Sequence, residues 1–160
     1  YGLRLQLSLR SEGAVTPGEP DPYNLTFEAG NVLWTQNTGT EWDINQTDAY
    51  IGFWSAVLNS TGAFSFFEND HYFPVTGNQS VTIKMFSKGT IGQGLAFGYA
   101  TYDSNFAPIG GNQLGINVEA DWKEDEWTDT VAANAAYIRI TMQSNGQVGT
   151  YHVDNFSVIT

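Results

Sequence analysis

The sequence predicts an all-β domain, a β-sandwich of two antiparallel sheets. Short runs of alternating apolar and polar residues recur at intervals of roughly ten residues, which is typical of strands with one buried face. The 17 glycines and the many Asn, Ser and Thr residues between these runs favour turns. The one segment with helical character, residues 130–136, is short for a stable helix.

The N-terminal segment combines a strand with a proline-containing arm. Leucines at positions 3, 5, 7 and 9 alternate with polar residues, which predicts a half-buried strand. Residues 11–22 follow with three prolines and three acids, the composition of a linker or an extended arm. We therefore divide the chain into this segment, residues 1–22, and a sandwich over residues 23–160. The first strand can belong to the sandwich or to a preceding module.

Further strands follow from the same alternation and from the turn residues that bound each run. They are predicted over residues 25–30, 31–34, 41–45, 49–58, 63–67, 81–86, 95–102, 137–142 and 151–158. In the last of them the apolar residues Val153 and Phe156 are three positions apart, so the alternation slips at Asp154 and Asn155. A β-bulge produces such a slip, and we predict one there.

Composition excludes several classes of function. The net charge is −11 with only six Lys and Arg, which argues against nucleic-acid binding because phosphates need clustered cations. The chain has no cysteine, so disulfides, thiolate metal sites and thiol nucleophiles are excluded. No run of residues is long and apolar enough for membrane insertion.

Enzymatic chemistry has little support in the sequence. His71 and His152 are isolated, and each lacks a partner at metal-ligand spacing. Pairs of nearby acids, such as Glu68 with Asp70, could be a glycosidase pair, but acids so close together on loops are usually solvated. We therefore expect a noncatalytic protein.

Three segments resemble the calcium-containing β-jelly-roll carbohydrate-binding modules, the xylan- and β-glucan-binding group. They are the early Phe-Glu of residues 25–30, the Trp-led strand and apolar strand of residues 122–140, and the closing strand of residues 151–158. The resemblance covers residues 23–160. It implies a jelly-roll fold and a module that binds glycans without cleaving them.

The resemblance also implies a structural calcium ion between an early and a late strand. Glu28 and Asp154 are the matching carboxylates, and calcium takes hard oxygen ligands from carboxylates and backbone carbonyls. Asn155 departs from the commoner pattern after Asp154. The alternative is that both residues are ordinary surface acids.

A glycan site needs exposed aromatic rings, because sugars present flat apolar faces ringed by hydroxyl groups. We expect such a site on the concave face of one sheet, which is the cleft in this family, and Trp122 and Trp127 to pack in the core. The candidate ligand-binding residues are Trp34, Trp42, Trp54, Tyr72, Tyr99 and Gln143. For each of the first three, core packing is the competing interpretation.

Two functions remain open at this point. The first is a noncatalytic, extracellular carbohydrate-binding module that binds polysaccharide as part of a larger protein. The alternative is a structural or adhesion domain of a phage or other virion surface, such as a tail or capsid decoration. In that case residues 1–22 would dock on a neighbouring subunit.

Overall fold

The computed structural model describes residues 21–39 and 41–160, and it is a sandwich of two antiparallel β-sheets. Eleven strands occur in this part of the chain: β1 (Trp34–Thr38), β2 (Trp42–Asn45), β3 (Ser55–Ser60), β4 (Phe66–Asn69), β5 (Phe73–Pro74), β6 (Ser80–Gly89), β7 (Gly92–Tyr102), β8 (Pro108–Val118), β9 (Lys123–Thr130), β10 (Tyr137–Ser144) and β11 (Gly149–Ile159). The predicted fold class is confirmed.

The strands divide into a six-stranded and a five-stranded sheet. The six-stranded sheet has the order β1-β4-β10-β7-β8, and β5 also pairs with β10. The five-stranded sheet has the order β2-β3-β11-β6-β9. Every strand pair is antiparallel. Within the described ranges no helix is long and apolar enough to cross a membrane.

The core lies between the sheets and follows from strand alternation. The inward residues of β10 include Ile138, Ile140 and Met142, and these pair with Thr101, Tyr99 and Phe97 of β7. Because successive side chains of a strand point to opposite faces, the residues between these positions lie on the outer face of the six-stranded sheet. This outer face is the one that carries the candidate site.

The final strand contains the predicted bulge. The register of β11 against β6 shifts between Asp154 and Ser157, and Asn155 has a left-handed φ of 50°. The slip lets Val153 and Phe156 both lie fully buried although they are three positions apart. The bulge prediction is confirmed.

One predicted strand is wrong, and two are displaced. Of the strands predicted over residues 31–34 and 49–58, only residue 34 and residues 55–58 lie in strands. Residues 25–30 form turns rather than a strand, with Asn24 and Phe27 in the left-handed region at φ 51° and 59°. Their apolar residues are buried because the turns fold into one end of the sandwich, where the Phe156 N–H donates to the Leu25 carbonyl at 2.9 Å. The segment with helical character, residues 130–136, contains the last residue of β9 and the turn that follows it.

Two further differences concern strands and the N-terminus. β8 was not predicted, because its glycines and amides interrupt any apolar alternation. The predicted strand at residues 3–9, and most of the predicted arm over residues 11–22, lie outside the described residues.

Candidate functional site

The outer face of the six-stranded sheet carries an open groove of about 460 Å³. One row across four adjacent strands consists of Glu68, Thr141, Gly98 and Gln113, which pair side by side. The next row passes from β10 through Ala100 and Gly111. Since the middle of both rows has little or no side chain, the face is sunken there. The Gln113 Nε2 donates to Thr141 Oγ1 at 3.3 Å across this floor.

Arg139 organises the polar side of the groove. Its guanidinium contacts Glu68 Oε2 at 3.3 Å and Asp70 Oδ1 at 2.7 Å, and its Nε donates to the Asn69 carbonyl at 2.7 Å. The Tyr102 hydroxyl donates to the other Glu68 oxygen at 2.8 Å. Burial, together with that hydrogen bond, raises the pKa of Tyr102 to about 12. The cation is therefore held in a fixed orientation and is neutralised by two acids.

An aromatic cluster lies against this arginine. The Arg139 Cζ is 5.3 Å from the Tyr72 ring centroid and 5.9 Å from that of Tyr102, both within cation–π range. Phe106 lies edge-on to Tyr72 at 4.9 Å and stacks on Tyr137 at 4.7 Å. Phe106 is 51% exposed, and Tyr72 and Tyr137 are half-buried, so part of this aromatic surface faces solvent.

A second aromatic pair lies at the other end of the groove. Phe66 lines the groove and is paired with Gln143 of β10, and the exposed Phe64 stacks on Phe66 at 6.3 Å. Gln143 and Tyr137 are six residues apart in β10, which corresponds to about 20 Å along a strand. This outer face therefore carries aromatic rings at both ends, of which Phe66 lines the groove, with hydroxyl and amide groups between them.

The structure places two of the predicted ligand residues, Tyr72 and Gln143, on this face. Trp34 and Trp42 are only 5% and 7% exposed, and both rings pack on Phe67 in the core, at centroid distances of 5.3 and 5.5 Å. They are corrected to core residues, since a ligand cannot reach buried rings. Trp54 is half-buried against the core, in the loop before β3.

Tyr99 is among the residues that line the groove, but its ring is turned towards the inner side of the sheet. Its ring is 4% exposed and stacks on Trp127 at 5.6 Å, and its hydroxyl donates to Asp129 Oδ2 at 2.6 Å. Burial and this carboxylate raise the pKa of Tyr99 well above its usual value. Trp127 packs against the core as predicted, whereas Trp122 is half-buried on the outer face of the five-stranded sheet, beside Lys88 at 5.6 Å.

Sequence reasoning missed Arg139, Gln113 and the aromatic residues Phe66, Phe106 and Tyr137. The alternation of β10 contained a usable signal for two of them. Because Ile138 and Ile140 are apolar, the intervening Tyr137 and Arg139 had to lie together on the opposite face. The partners from β4 and β8 could not be identified without the strand order.

The predicted metal ligands, Glu28 and Asp154, both hold the loop of residues 46–54. Glu28 Oε1 accepts hydrogen bonds from the amides of residues 53 and 54 at 2.8 and 2.9 Å. Asp154 Oδ2 accepts from the amides of residues 50 and 51 at 2.9 and 3.0 Å, and its Oδ1 accepts from the Asn155 amide at 2.7 Å. Desolvation by burial, with a further contribution from Glu28, raises the pKa of Asp154 to about 7.

These residues fit a hard cation in their chemistry. The carboxylates of Glu28 and Asp154 repel each other, and Asp154 is fully buried. The buried Oδ1 of Asn155 has no hydrogen-bond partner. Over residues 21–39 and 41–160 no three His, Cys, Asp or Glu side chains are grouped to hold a metal. Amide or backbone carbonyl oxygens would have to complete a shell around these two carboxylates.

The same loop covers the outer face of the five-stranded sheet. Tyr50 stacks on Phe86 of β6 with a centroid distance of 3.7 Å, and Asp48 forms a salt bridge with Lys88. His152 is half-buried next to these groups, and burial lowers its pKa. The loop therefore covers the outer face of the five-stranded sheet around Phe86 and Lys88.

Solved structures share this fold. A family 16 carbohydrate-binding module has a TM-score of 0.66 at 17% identity, over 86% of this chain and 97% of its own. The CBM22-1 xylan-binding domain of Paenibacillus barcinonensis Xyn10C has a TM-score of 0.62 at 21% identity, over 84% of this chain and 90% of its own. The enzymatically active domain of bacteriophage CBA120 tailspike protein 4 has a TM-score of 0.67 at 17% identity, over 84% of this chain but only 20% of its own.

These identities show the fold and nothing narrower. The sequence matches no protein-family model, and a search of curated proteins finds no match. The chain thus has the β-sandwich of the carbohydrate-binding modules, and its ligand has to be inferred from the groove.

Proposed function

We propose that the chain is a noncatalytic carbohydrate-binding module whose groove, on the outer face of the six-stranded sheet, binds polysaccharide. The observation that carries this proposal is the arrangement of this face, with aromatic rings at both ends and the polar-floored groove between them. The similarity of the fold to carbohydrate-binding modules supports it. We further propose that the module is extracellular and part of a larger protein.

The groove chemistry suits a sugar chain. The exposed parts of Tyr72, Phe106 and Tyr137 offer apolar surface for the C–H faces of sugar rings. Gln113 offers an amide to sugar hydroxyls on the groove floor, where the buried Thr141 accepts a hydrogen bond from it. The distance of about 20 Å between the two aromatic ends of this face accommodates several consecutive rings of a polymer.

The charge distribution favours a neutral polysaccharide. Arg139 is already neutralised by Glu68 and Asp70, so it is a weak site for a carboxylate or sulfate group on the ligand. The net charge of −11 repels polyanions in general. Xylan and the β-glucans are therefore preferred over alginate.

The absence of catalysis is also part of the proposal. Glu68 and Asp70 are the acids nearest to the groove floor, and both are engaged by Arg139. Glu68 also accepts a hydrogen bond from the Tyr102 hydroxyl, so both of its carboxylate oxygens are engaged by protein groups.

We propose a structural calcium ion at Glu28 and Asp154. The ion would offset the repulsion between these two carboxylates and the cost of burying Asp154. It would fasten the loop of residues 46–54 to the last strand, on the side away from the groove. The ion would therefore stabilise the fold and would not contact the sugar.

Affinity electrophoresis on gels containing xylan, β-glucan, mannan, agarose or alginate tests the sugar proposal. We expect retardation by a neutral polymer, with affinity in the micromolar to millimolar range, about −8 to −4 kcal/mol. Tyr72→Leu should weaken binding by about tenfold, since it removes an aromatic platform. Tyr50→Leu is the matched control, because its tyrosine lies on the opposite sheet.

Equal loss in both variants would place binding elsewhere. If the folded wild-type protein is not retarded by any polymer, the assembly role becomes the better proposal. The tailspike similarity favours that second candidate, a structural domain of a virion surface protein. Assembly with tail or capsid proteins would then be the activity to measure.

A further inference from the structure

A second cavity opens at the edge of the sandwich, beside the groove. β8 ends the six-stranded sheet and β9 ends the five-stranded sheet, and a cavity of about 360 Å³ lies between these two strands. Its lining comes from β7, β8, β9 and the turn that follows β9. The volume falls within the range of small-ligand pockets, about 300–1,000 Å³. We call this opening the edge cavity.

Asp129 is the one charged residue among those that line the edge cavity. It faces inward from β9, since its strand partner Val81 lies in the core. Its Oδ2 accepts hydrogen bonds from the Tyr99 hydroxyl at 2.6 Å and from Asn112 Nδ2 at 2.9 Å. Burial acts to raise the pKa of this carboxyl, but its hydrogen bonds outweigh burial and lower the pKa. A carboxylate has about four acceptor sites, and because both side-chain bonds fall on Oδ2, Oδ1 can still accept from a ligand hydroxyl.

The edge cavity and the groove meet at a pair of glycines in β8. Four residues line both openings: Tyr99, Gly110, Gly111 and Asn112. Gly110 has a φ of 149°, and a Cβ built on it would lie 3.6 Å from Thr101 Oγ1, another residue of the cavity lining. A side chain at this position would therefore extend into the cavity. Since neither glycine carries one, the rim between the groove and the edge cavity is low.

The edge cavity lies to the side of the groove rather than at either end of it. The two aromatic ends of the face are separated along β10, from Tyr137 to Gln143. β8 lies two strand spacings from β10, which is about 10 Å across the sheet. A sugar chain that connects the two aromatic ends therefore runs past the edge cavity, and a substituent on that chain can reach it.

We propose that the edge cavity binds a neutral sugar branch of the polysaccharide whose main chain lies in the groove. This inference rests on the proposed function, because the groove has to hold the main chain. Asp129 accepts hydrogen bonds from the hydroxyls of the branch, and the Thr130 hydroxyl offers a further donor and acceptor. An acidic branch is disfavoured, since its carboxylate would face that of Asp129. The module therefore prefers a neutrally branched polymer to its linear form.

Titration calorimetry with matched oligosaccharides tests the proposal. The probes are xylan chains with and without arabinose branches, and β-glucan chains with and without xylose branches. Wild type should bind the branched member of the pair that it recognises about tenfold more tightly, as expected for a hydrogen bond to a charged acceptor. Ala132→Trp should remove this preference by filling the cavity, whereas Ala133→Trp, at an exposed neighbour outside the lining, should keep it. Equal affinities in wild type, or a preference that survives Ala132→Trp, overturn the proposal.

A second pair of variants tests the carboxylate and decides the matter if Ala132→Trp does not fold. Asp129→Asn should lose the preference for branched chains, and Asp125→Asn should keep it, because Asp125 faces inward on the same strand but lies outside the cavity lining. A preference kept in Asp129→Asn, or lost equally in both variants, overturns the proposal.

Failure of the branch site can be distinguished from failure of the proposed function. If wild type binds linear and branched chains equally and Tyr72→Leu weakens both, the groove is supported and the branch site alone is overturned. If wild type binds none of the four probes, the proposed function fails for these polymers and the branch site fails with it.

Discussion

In both sheets the side chains alternate between the inner and the outer face along each strand, but the two outer faces differ in what lies on them. On the six-stranded sheet, Gly98, Ala100 and Gly111 leave the middle of the face low, and the groove stays open. On the five-stranded sheet, the loop of residues 46–54 folds back over Phe86 and is held there by carboxylates. One face thus keeps an open groove (the open face), and on the other (the sealed face) a loop of the chain covers the region around Phe86 and Lys88.

The difference shows that alternation fixes which side chains point outward but leaves open whether they remain accessible. Accessibility depends on a loop, and the loop depends on a few polar anchors. In this protein the anchors coincide with the proposed calcium site. Stability should therefore respond to changes at the sealed face, and sugar affinity to changes at the open face.

The largest effect is expected from removing the buried anchor of the sealed face. Asp154→Ala leaves three backbone N–H groups without their acceptor and should lower the free energy of unfolding by about 2–4 kcal/mol. Asp154→Asn is the control, since its amide oxygen can still accept. Urea denaturation in the presence of a chelator measures both. Equal losses in the two variants would contradict the role of the hydrogen bonds.

Calcium should have the next largest effect, also at the sealed face. When free calcium is about a hundredfold above its dissociation constant, binding adds about 2.7 kcal/mol of stability. Thermal melts with calcium and with a chelator measure the shift, which Asp154→Asn should remove and Gln113→Ala, in the groove, should leave intact. If the wild-type melting temperature does not change after verified metal removal, Glu28 and Asp154 hold the loop but do not bind calcium.

The pH dependence of the metal-free protein gives a further effect at the same residue. The pKa of Asp154 is raised by burial from 3.8 to about 7, so the folded state binds its proton more tightly than the unfolded chain does. This contribution to stability is complete below pH 3.8 and is lost as the pH rises through about 7. The wild type should therefore lose stability relative to Asp154→Asn over this range. A difference that stays constant or grows would contradict the raised pKa.

Much of the fold was predictable from local patterns, because apolar residues at alternate positions indicate a strand with one buried face. The bulge at Asp154 was predicted for the same reason. The turns around Phe27 were taken for a strand because burial alone does not distinguish a strand from a loop folded into the core. β8 was missed because glycine and amide side chains carry no alternation.

The candidate site was less predictable, because it is assembled from distant strands. Tyr72 and Gln143 lie on this face, but Trp34 and Trp42 are buried. A tryptophan next to polar residues has the same local sequence whether its ring packs inward or outward. Arg139 could be identified as a residue of this face only from the strand order, which places β4 and its acidic residue Glu68 next to β10.

The smallest predicted effect concerns a single hydrogen-bonding group on the groove floor. Gln113 pairs with Gly98 and reaches Thr141, so its amide is in position to bond a sugar hydroxyl. Gln113→Ala should cost about 1 kcal/mol of binding, or about fivefold in affinity, and leave thermal stability unchanged. Asn59→Ala, an exposed amide on the five-stranded sheet, is the matched control and should leave affinity as it is. Titration calorimetry with a soluble oligosaccharide of the retarding polymer measures both variants. If Asn59→Ala lowers affinity and Gln113→Ala does not, the sealed face rather than the open one binds the sugar.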